Sequence, residues 1–295
     1  MLYLKRFTLP SEDMETAFFT PSGQAKDYKI QSTTFSSSYP FNVFRYRQVP
    51  TLEFEPITIF YGSNGSGKST LLNVIAEKLG LLRDAPFNRT AFYEDYVNLC
   101  RYSACPQLPE GSKYIASDDI FHCLLNLRKL NEDIDETRQA LFREYNEANL
   151  QARRGQVRRL QSLSDYQAFA RHSEAVRHTQ SRFVNDRLAK NIVTQSNGES
   201  ALRYLMDEVT ENCLYLLDEP ENSMSPQFQL DLKQVLEDSA RFFGCQFVIA
   251  THSPFLLAMK GARIYDLDET PPRVKNWKEL DSIRTYIRFF EEHRE

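Results

Sequence analysis

Apolar residues along this chain follow two rhythms. A β-branched and aromatic run occurs at Ile57–Tyr61, and short, largely apolar runs at Cys213–Leu217 and Gln246–Ala250. Such runs fit strands covered on both faces. Between them, apolar residues recur every three or four positions, as expected of helices with one face on a core. That spacing is carried by Leu71, Leu72, Ile75, Leu79 and Leu82 over 69–82, by Leu202, Leu205, Met206 and Val209, and by 227–243. Leu2–Phe7 predicts a first strand, Ile264–Tyr265 a later one, and 281–295 a polar terminal helix. In 277–295, Leu280, Ile283, Ile287 and Phe290 share one stripe, which predicts packing against the rest of the chain; the single Trp277 is expected in the core. Ser22–Tyr39, rich in Ser, Thr and Gln, reads as loop or sheet edge, and 84–117, with Pro86, Pro106, Pro109 and Gly111, as short pieces. Alternating strands and helices predict an α/β fold with a parallel or mixed sheet.

The stretch 118–190 breaks this alternation. It has no proline and one glycine, Gly155, so it reads as mostly helical. Asn131–Glu147 holds six acids against two bases, and Leu150–Lys190 nine bases against three acids. Arg153, Arg154, Arg158 and Arg159 lie in a segment without acids. They are either a phosphate-contacting patch or a basic helix paired with the acidic one before it. On an ideal helix they spread around most of the circumference, which favours the second reading.

Composition narrows the function classes. The net charge of −4 over 295 residues gives no overall basic field for tight nonspecific nucleic-acid binding. Five cysteines with no C-x-x-C pair indicate neither a disulfide framework nor a zinc site. Cys213 and Cys245, at apolar strands, are expected as small core residues. No apolar run approaches the ~18–20 residues of a membrane helix. The first residues lack the order of a signal peptide, so a reduced, soluble, cytoplasmic protein is expected.

Gly62–Ser69 fits G-x-x-x-x-G-K-[ST], between a predicted strand and a predicted helix. Glycines let backbone N–H groups wrap phosphate oxygens, and the helix start adds partial positive charge. Gly62, Ser63, Asn64, Gly65, Ser66, Gly67, Lys68, Ser69 and Thr70 are therefore the candidate nucleotide-binding residues. Lys68 is expected on the β- and γ-phosphates and Ser69 on Mg²⁺. Leu214–Leu217 ends in Asp218 and Glu219: Asp218 fits the Mg²⁺ shell, and Glu219 a general base for the attacking water. Val248–Ala250 ends in Thr251, His252 and Ser253, and His252 is a candidate γ-phosphate sensor. Ser196, Gly198 and Glu199 open a helix that offers a second anion-binding end. Gln107, 39 residues after Lys68, is a candidate metal- and γ-phosphate-sensing amide.

Taken in order, these segments resemble an ABC-type ATPase head: phosphate loop, Q-loop at Gln107, signature at Ser196–Glu199, Asp-Glu strand, D-loop at Asn222–Ser225 and switch His252. Tyr39-Pro-Phe-Asn42, Ser196–Ser200, Leu217–Asn222, Ser225-Pro226 and Ala250–Phe255 are more closely similar to small bacterial AAA-family ATPases, relatives of the RecF, Rad50 and SMC heads. The resemblance implies a P-loop NTPase head, 1–117 with 191–275, a helical insert, 118–190, and a C-terminal helix, 276–295, packed on the head. It implies ATP and Mg²⁺ as cofactors and a homodimer in which one chain's signature meets ATP held by its partner's glycine loop. Two departures stand out. The D-loop reads Asn-Ser-Met-Ser with no acid after the Ser, and no aromatic is clearly placed for adenine, Tyr39, Phe41 and Tyr46 being the candidates. Rad50 and SMC heads carry a long coiled coil where this chain has 88 residues between Gln107 and Ser196. Two antiparallel helices of about 35 residues would reach only ~50 Å.

The expected function is ATP hydrolysis coupled to a dimer cycle that drives DNA maintenance or gates a separate effector, such as a nuclease in phage defence. The alternatives are the nucleotide-binding subunit of a membrane transporter and a regulatory ATP switch acting on a partner.

Overall fold

The computed structural model describes residues 2–20, 37–154, 166–188 and 196–294. In chain order the elements are β1 (Leu4–Thr8), α1 (Glu12–Phe18), β2 (Leu52–Glu53), β3 (Ile57–Tyr61), α2 (Lys68–Leu79), α3 (Tyr93–Leu99), β4 (Arg101–Ala104) and β5 (Lys113–Ala116). There follow α4 (Ser117–Arg153), α5 (Tyr166–Arg177), α6 (Gln180–Asn185), α7 (Asn197–Glu208), β6 (Leu214–Asp218), α8 (Pro226–Phe242) and β7 (Gln246–Ala250). The chain continues through α9 (Pro254–Leu257), β8 (Arg263–Asp266), β9 (Arg273–Lys275), a 3₁₀ turn (Trp277–Glu279) and α10 (Asp281–Glu292).

Six strands form one sheet in the order β5-β6-β7-β3-β8-β9. All neighbours are parallel except β8 and β9. Every residue of β3, β6 and β7 is buried, as their largely apolar runs require. A second, antiparallel sheet, β2-β1-β4, packs its Leu4, Phe7 and Leu52 into the same core. Gln246, fully buried at the start of β7, joins the two sheets: its Oε1 accepts from the Tyr3 and Leu4 amides, and its Nε2 donates to the Leu4 and Glu55 carbonyls. Cys213 and Cys245 are buried and unpaired by disulfide, as expected of small core residues.

Contacts divide the chain into two units, Met1–Phe121 with Asn197–Glu295, and His122–Ser196. In the second unit α4 packs with α5 and α6 around Ala148, Ala175, Phe183 and Val184, bordered by Phe142 and Tyr145. The return arm is two short helices, because Thr179 is extended (φ −70°, ψ 152°) and ends the helical run between them.

The structure corrects several expectations. Helix α2 stops at Leu79, where Gly80 adopts a left-handed conformation (φ 65°), so Leu82 leaves the helical stripe and is exposed. Of the C-terminal stripe, Leu280 and Ile283 are buried, whereas Ile287 is 43% and Phe290 66% exposed. The helix is anchored by its first turn. Trp277 is half-buried rather than core. Arg153 and Arg154 are exposed, and Arg158, Arg159 and most of the Ser22–Tyr39 segment lie outside the described residues.

Candidate active site

In a parallel sheet all the strand ends of one sense gather on one edge. Strands β6, β7 and β3 are consecutive neighbours, with Asp218 paired to Ala250 and Ala250 to Phe60. The three segments that leave these ends are Gly62–Ser69, Glu219–Asn222 and Thr251–Ser253. Segments separated by some 190 residues are thereby brought to one place.

The glycine loop takes positive φ at Gly65 (82°) and Gly67 (98°). At Gly67 an added Cβ would lie 2.8 Å from the Phe44 ring, so both the backbone and the packing demand glycine. The Lys68 ammonium is buried and folds back on the loop. It donates to the Gly62 carbonyl at 2.8 Å and the Ser63 carbonyl at 3.2 Å, and lies 2.7 Å from His252 Nε2. An ammonium only donates, so Nε2 accepts and the imidazole proton sits on Nδ1. Burial pushes Lys68 down, against the pull of Glu219 and Asp218. Burial and then the Lys68 charge push His252 down, which favours the neutral ring.

On the other side of Lys68, the Ser69 hydroxyl donates to Asp218 Oδ1 at 3.1 Å. The buried Tyr114 hydroxyl, from β5, donates to Asp218 Oδ2 at 3.2 Å. Burial raises the Asp218 pKa, and the bond from Ser69 opposes it. Glu219 holds a left-handed backbone, φ 48°, uncommon for a residue with a side chain and a mark of a constrained site. Its amide donates to the Ala250 carbonyl, its Oε1 lies 3.6 Å from His252 Nε2, and its Oε2 accepts from Asn222 Nδ2 at 3.2 Å.

The donor set fits a nucleotide with magnesium. A hydroxyl and a carboxylate held together, beside a lysine and a glycine loop, leave room for phosphate and water oxygens, the shell Mg²⁺ prefers. Thr70 accepts a hydrogen bond from the Tyr39 hydroxyl at 3.1 Å. Phe41 is core, whereas Tyr46 is 66% exposed, with the Arg45 guanidinium 5.3 Å from its ring centre. Gly198 packs against Ser223, Met224 and Phe228, so the helix opened by Ser196 and Glu199 abuts the turn that follows Glu219. Gln107 is not brought to this group. It is exposed on a bend ahead of β5, whose opposite end is the one level with Asp218. A residue before a parallel strand starts at the far edge of the sheet, and β5 reaches Asp218 through Tyr114 instead.

Three participants carry no motif of their own, and a fourth, Glu221, lies inside one. Tyr114 is the first of the three. Asp268, after β8, accepts from the Ser63 amide at 2.7 Å and from the Ser63 hydroxyl, also at 2.7 Å. Arg47 donates to the Leu267 carbonyl and, at 3.5 Å, to the Gly65 carbonyl. Glu221, inside the Asp-Glu-Pro-Glu-Asn run, accepts from the Thr251 hydroxyl and from the His252 and Ser253 amides.

Residues 131–258 match the family model described as "AAA domain, putative AbiEii toxin, Type IV TA system". The match spans α7, β6, the Asp218–Glu219 pair and His252, and the glycine loop lies before it. No curated protein matches the chain. Among solved structures the chain is similar to the Smc head domain with an extended coiled coil bound to the C-terminal domain of ScpA from Pyrococcus furiosus (14% identity, TM-score 0.44, 100% of each chain). It is also similar to a dimeric ATP-binding cassette in a post-hydrolysis state bound to ADP and Pi (15% identity, TM-score 0.35, 78% of this chain and 90% of that chain). A glycine loop, an Asp-Glu strand end and a histidine turn thus meet at one edge of a parallel sheet, the arrangement of a phosphate-loop nucleotide site, and residues 131–258 are similar to the AAA domain of the matched model.

Proposed function

We propose that the chain binds ATP with Mg²⁺ and hydrolyses it, as a homodimer that closes around two ATP molecules. The observation that carries this reading is the convergence of Lys68, His252 and Glu219. Lys68 lies 2.7 Å from His252, and His252 lies 3.6 Å from Glu219, between the glycine loop and the end of β6.

Each residue has work that its geometry suits. The loop amides and Lys68 hold the triphosphate, and Lys68 exchanges its carbonyl and imidazole partners for phosphate oxygens. Ser69 and Asp218 would hold Mg²⁺, which when bound neutralises charge on the β- and γ-phosphates. Glu219 accepts a proton from the attacking water, with Asn222 holding one of its oxygens in place. His252, neutral with its proton on Nδ1, faces Lys68 through Nε2; a ring protonated there would donate to a γ-phosphate oxygen. Gly198, buried against Ser223 and Met224, seats the start of α7, and the exposed Ser196 and half-buried Glu199 belong to the surface offered to a second copy. The description of the matched model, "putative AbiEii toxin, Type IV TA system", supports a toxin–antitoxin role over transport. Among the described residues no helix is long and apolar enough to cross a membrane.

The test is ATP turnover per protomer as protein concentration is raised, with and without duplex DNA. A rate that climbs with concentration supports the dimer, and a further rise with DNA supports a DNA-linked cycle. A constant per-protomer rate would refute the paired arrangement. No turnover with bound ATP would leave a regulatory switch.

A further inference from the structure

Glu221 is held unlike any other carboxylate of the site. It is 8% exposed, two residues beyond Glu219. One oxygen, Oε1, collects three donors: the Thr251 hydroxyl at 2.5 Å, the His252 amide at 3.0 Å and the Ser253 amide at 3.1 Å. The other, Oε2, is buried without a hydrogen-bond partner among the described residues. Burial raises the Glu221 pKa, and the bonds from the Thr251 hydroxyl and the His252 amide oppose it.

The three donors are consecutive residues of the turn that aims His252. Gripping the amides on both sides of the His252 α-carbon fixes that residue's backbone, and so the direction of its imidazole. Thr251 is fully buried, and the Ser253 hydroxyl caps α9 and donates to Gln229 of α8, so the turn is fastened at its other end as well. Glu221 is itself part of the turn that carries Glu219: the Asn222 amide donates to the Glu219 carbonyl and the Met224 amide to the Glu221 carbonyl. That turn continues into Ser223 and Met224, against which Gly198 packs.

We infer that Glu221 is a positioning residue that locks the His252 turn to the Glu219 turn, so that displacement of the 222–225 segment is passed to His252. The inference rests on the reading of the site proposed above. It supplies a route from that segment to the γ-phosphate position that does not need an acid after Ser225.

The experiment uses Glu221→Ala, Glu221→Gln and, to assign the signal, His252→Gln in the full chain. Imidazole ¹⁵N NMR of the nucleotide-free protein reads the His252 tautomer, fluorescent ATP-analogue titration reads affinity, and steady-state assays read kcat. In E221A the His252 signal is expected to lose its single Nδ1–H tautomer, with kcat down at least about 30-fold and analogue affinity within about threefold. E221Q keeps an acceptor oxygen and is expected to fall between, about tenfold down in kcat. Folded E221A, or E221Q should E221A not fold, with a wild-type His252 signal and kcat would overturn the inference. So would a fall in affinity that matches the fall in kcat. A wild-type protein that binds but does not hydrolyse ATP would refute the hydrolysis reading instead, and the nucleotide-free His252 spectrum would still decide the role of Glu221.

Discussion

Lys68 and His252 show why a residue's chemistry here is set by its neighbours. The Lys68 ammonium is satisfied by two carbonyls and an imidazole, all of them weaker partners than phosphate. Lys68→Ala is expected to lower ATP affinity at least about 100-fold, since a buried charge-assisted contact is lost. Equilibrium titration with a fluorescent analogue measures this, and unchanged affinity would remove Gly62–Ser69 from the site. The depressed pKa of His252 gives a stability prediction of definite sign. The folded ring takes up a proton less readily than the unfolded one, whose pKa is about 6.5. Below that value the unfolded state binds more protons, so this contribution is full above pH ~6.5 and is lost as pH falls toward the folded pKa. Urea unfolding at pH 7.5 and 5.5 should show a smaller acid loss in His252→Gln than in wild type; equal losses would show that burial and Lys68 do not depress the folded ring. Lys68, Ser69, Asp218, Glu219 and His252 were legible in the sequence because each follows a strand or glycine loop with a recognisable pattern. Tyr114, Asp268 and Arg47 were not, because an isolated Tyr, Asp or Arg acquires a role only from what the fold sets beside it.

At the scale of elements, legibility tracked burial. Strands β3, β6 and β7 are buried on both faces, and their limits were read to within a residue. The helix after the glycine loop was read too long: apolar spacing continued to Leu82, but Gly80 turned the backbone left-handed first. Gln107 was misplaced because its distance from Lys68 was counted along the chain, whereas the edge of the sheet it occupies depends on where β5 begins. The α7 docking offers a direct check. An added Cβ at Gly198 would lie 3.0 Å from the Phe228 ring and 3.1 Å from the Ser223 carbonyl. Gly198→Val is expected to cost about 1–3 kcal/mol through overpacking. Chemical denaturation reads that loss, and a neutral effect would show that this contact gives easily.

For the whole molecule, the proposed function turns on pairing. If two copies enclose ATP, a variant that binds without hydrolysing should collect in the paired state. Glu219→Gln is expected to retain ATP affinity, lose at least about 100-fold in turnover, and run as a dimer with Mg-ATP by light scattering. A monomer under saturating nucleotide would contradict the head-to-tail arrangement. The sequence by itself determined the α/β class, the three buried strands, the phosphate loop and the acid and histidine that follow the other two strands. These are local patterns, written in residues that neighbour one another along the chain. Only the tertiary structure decided that the ends of β3, β6 and β7 share one edge, that Tyr114 and Ser69 grip opposite oxygens of Asp218, and that one oxygen of Glu221 holds the His252 turn. Those contacts join residues 30 to about 150 positions apart, and their spacing is set by strand order and register, which no local pattern encodes.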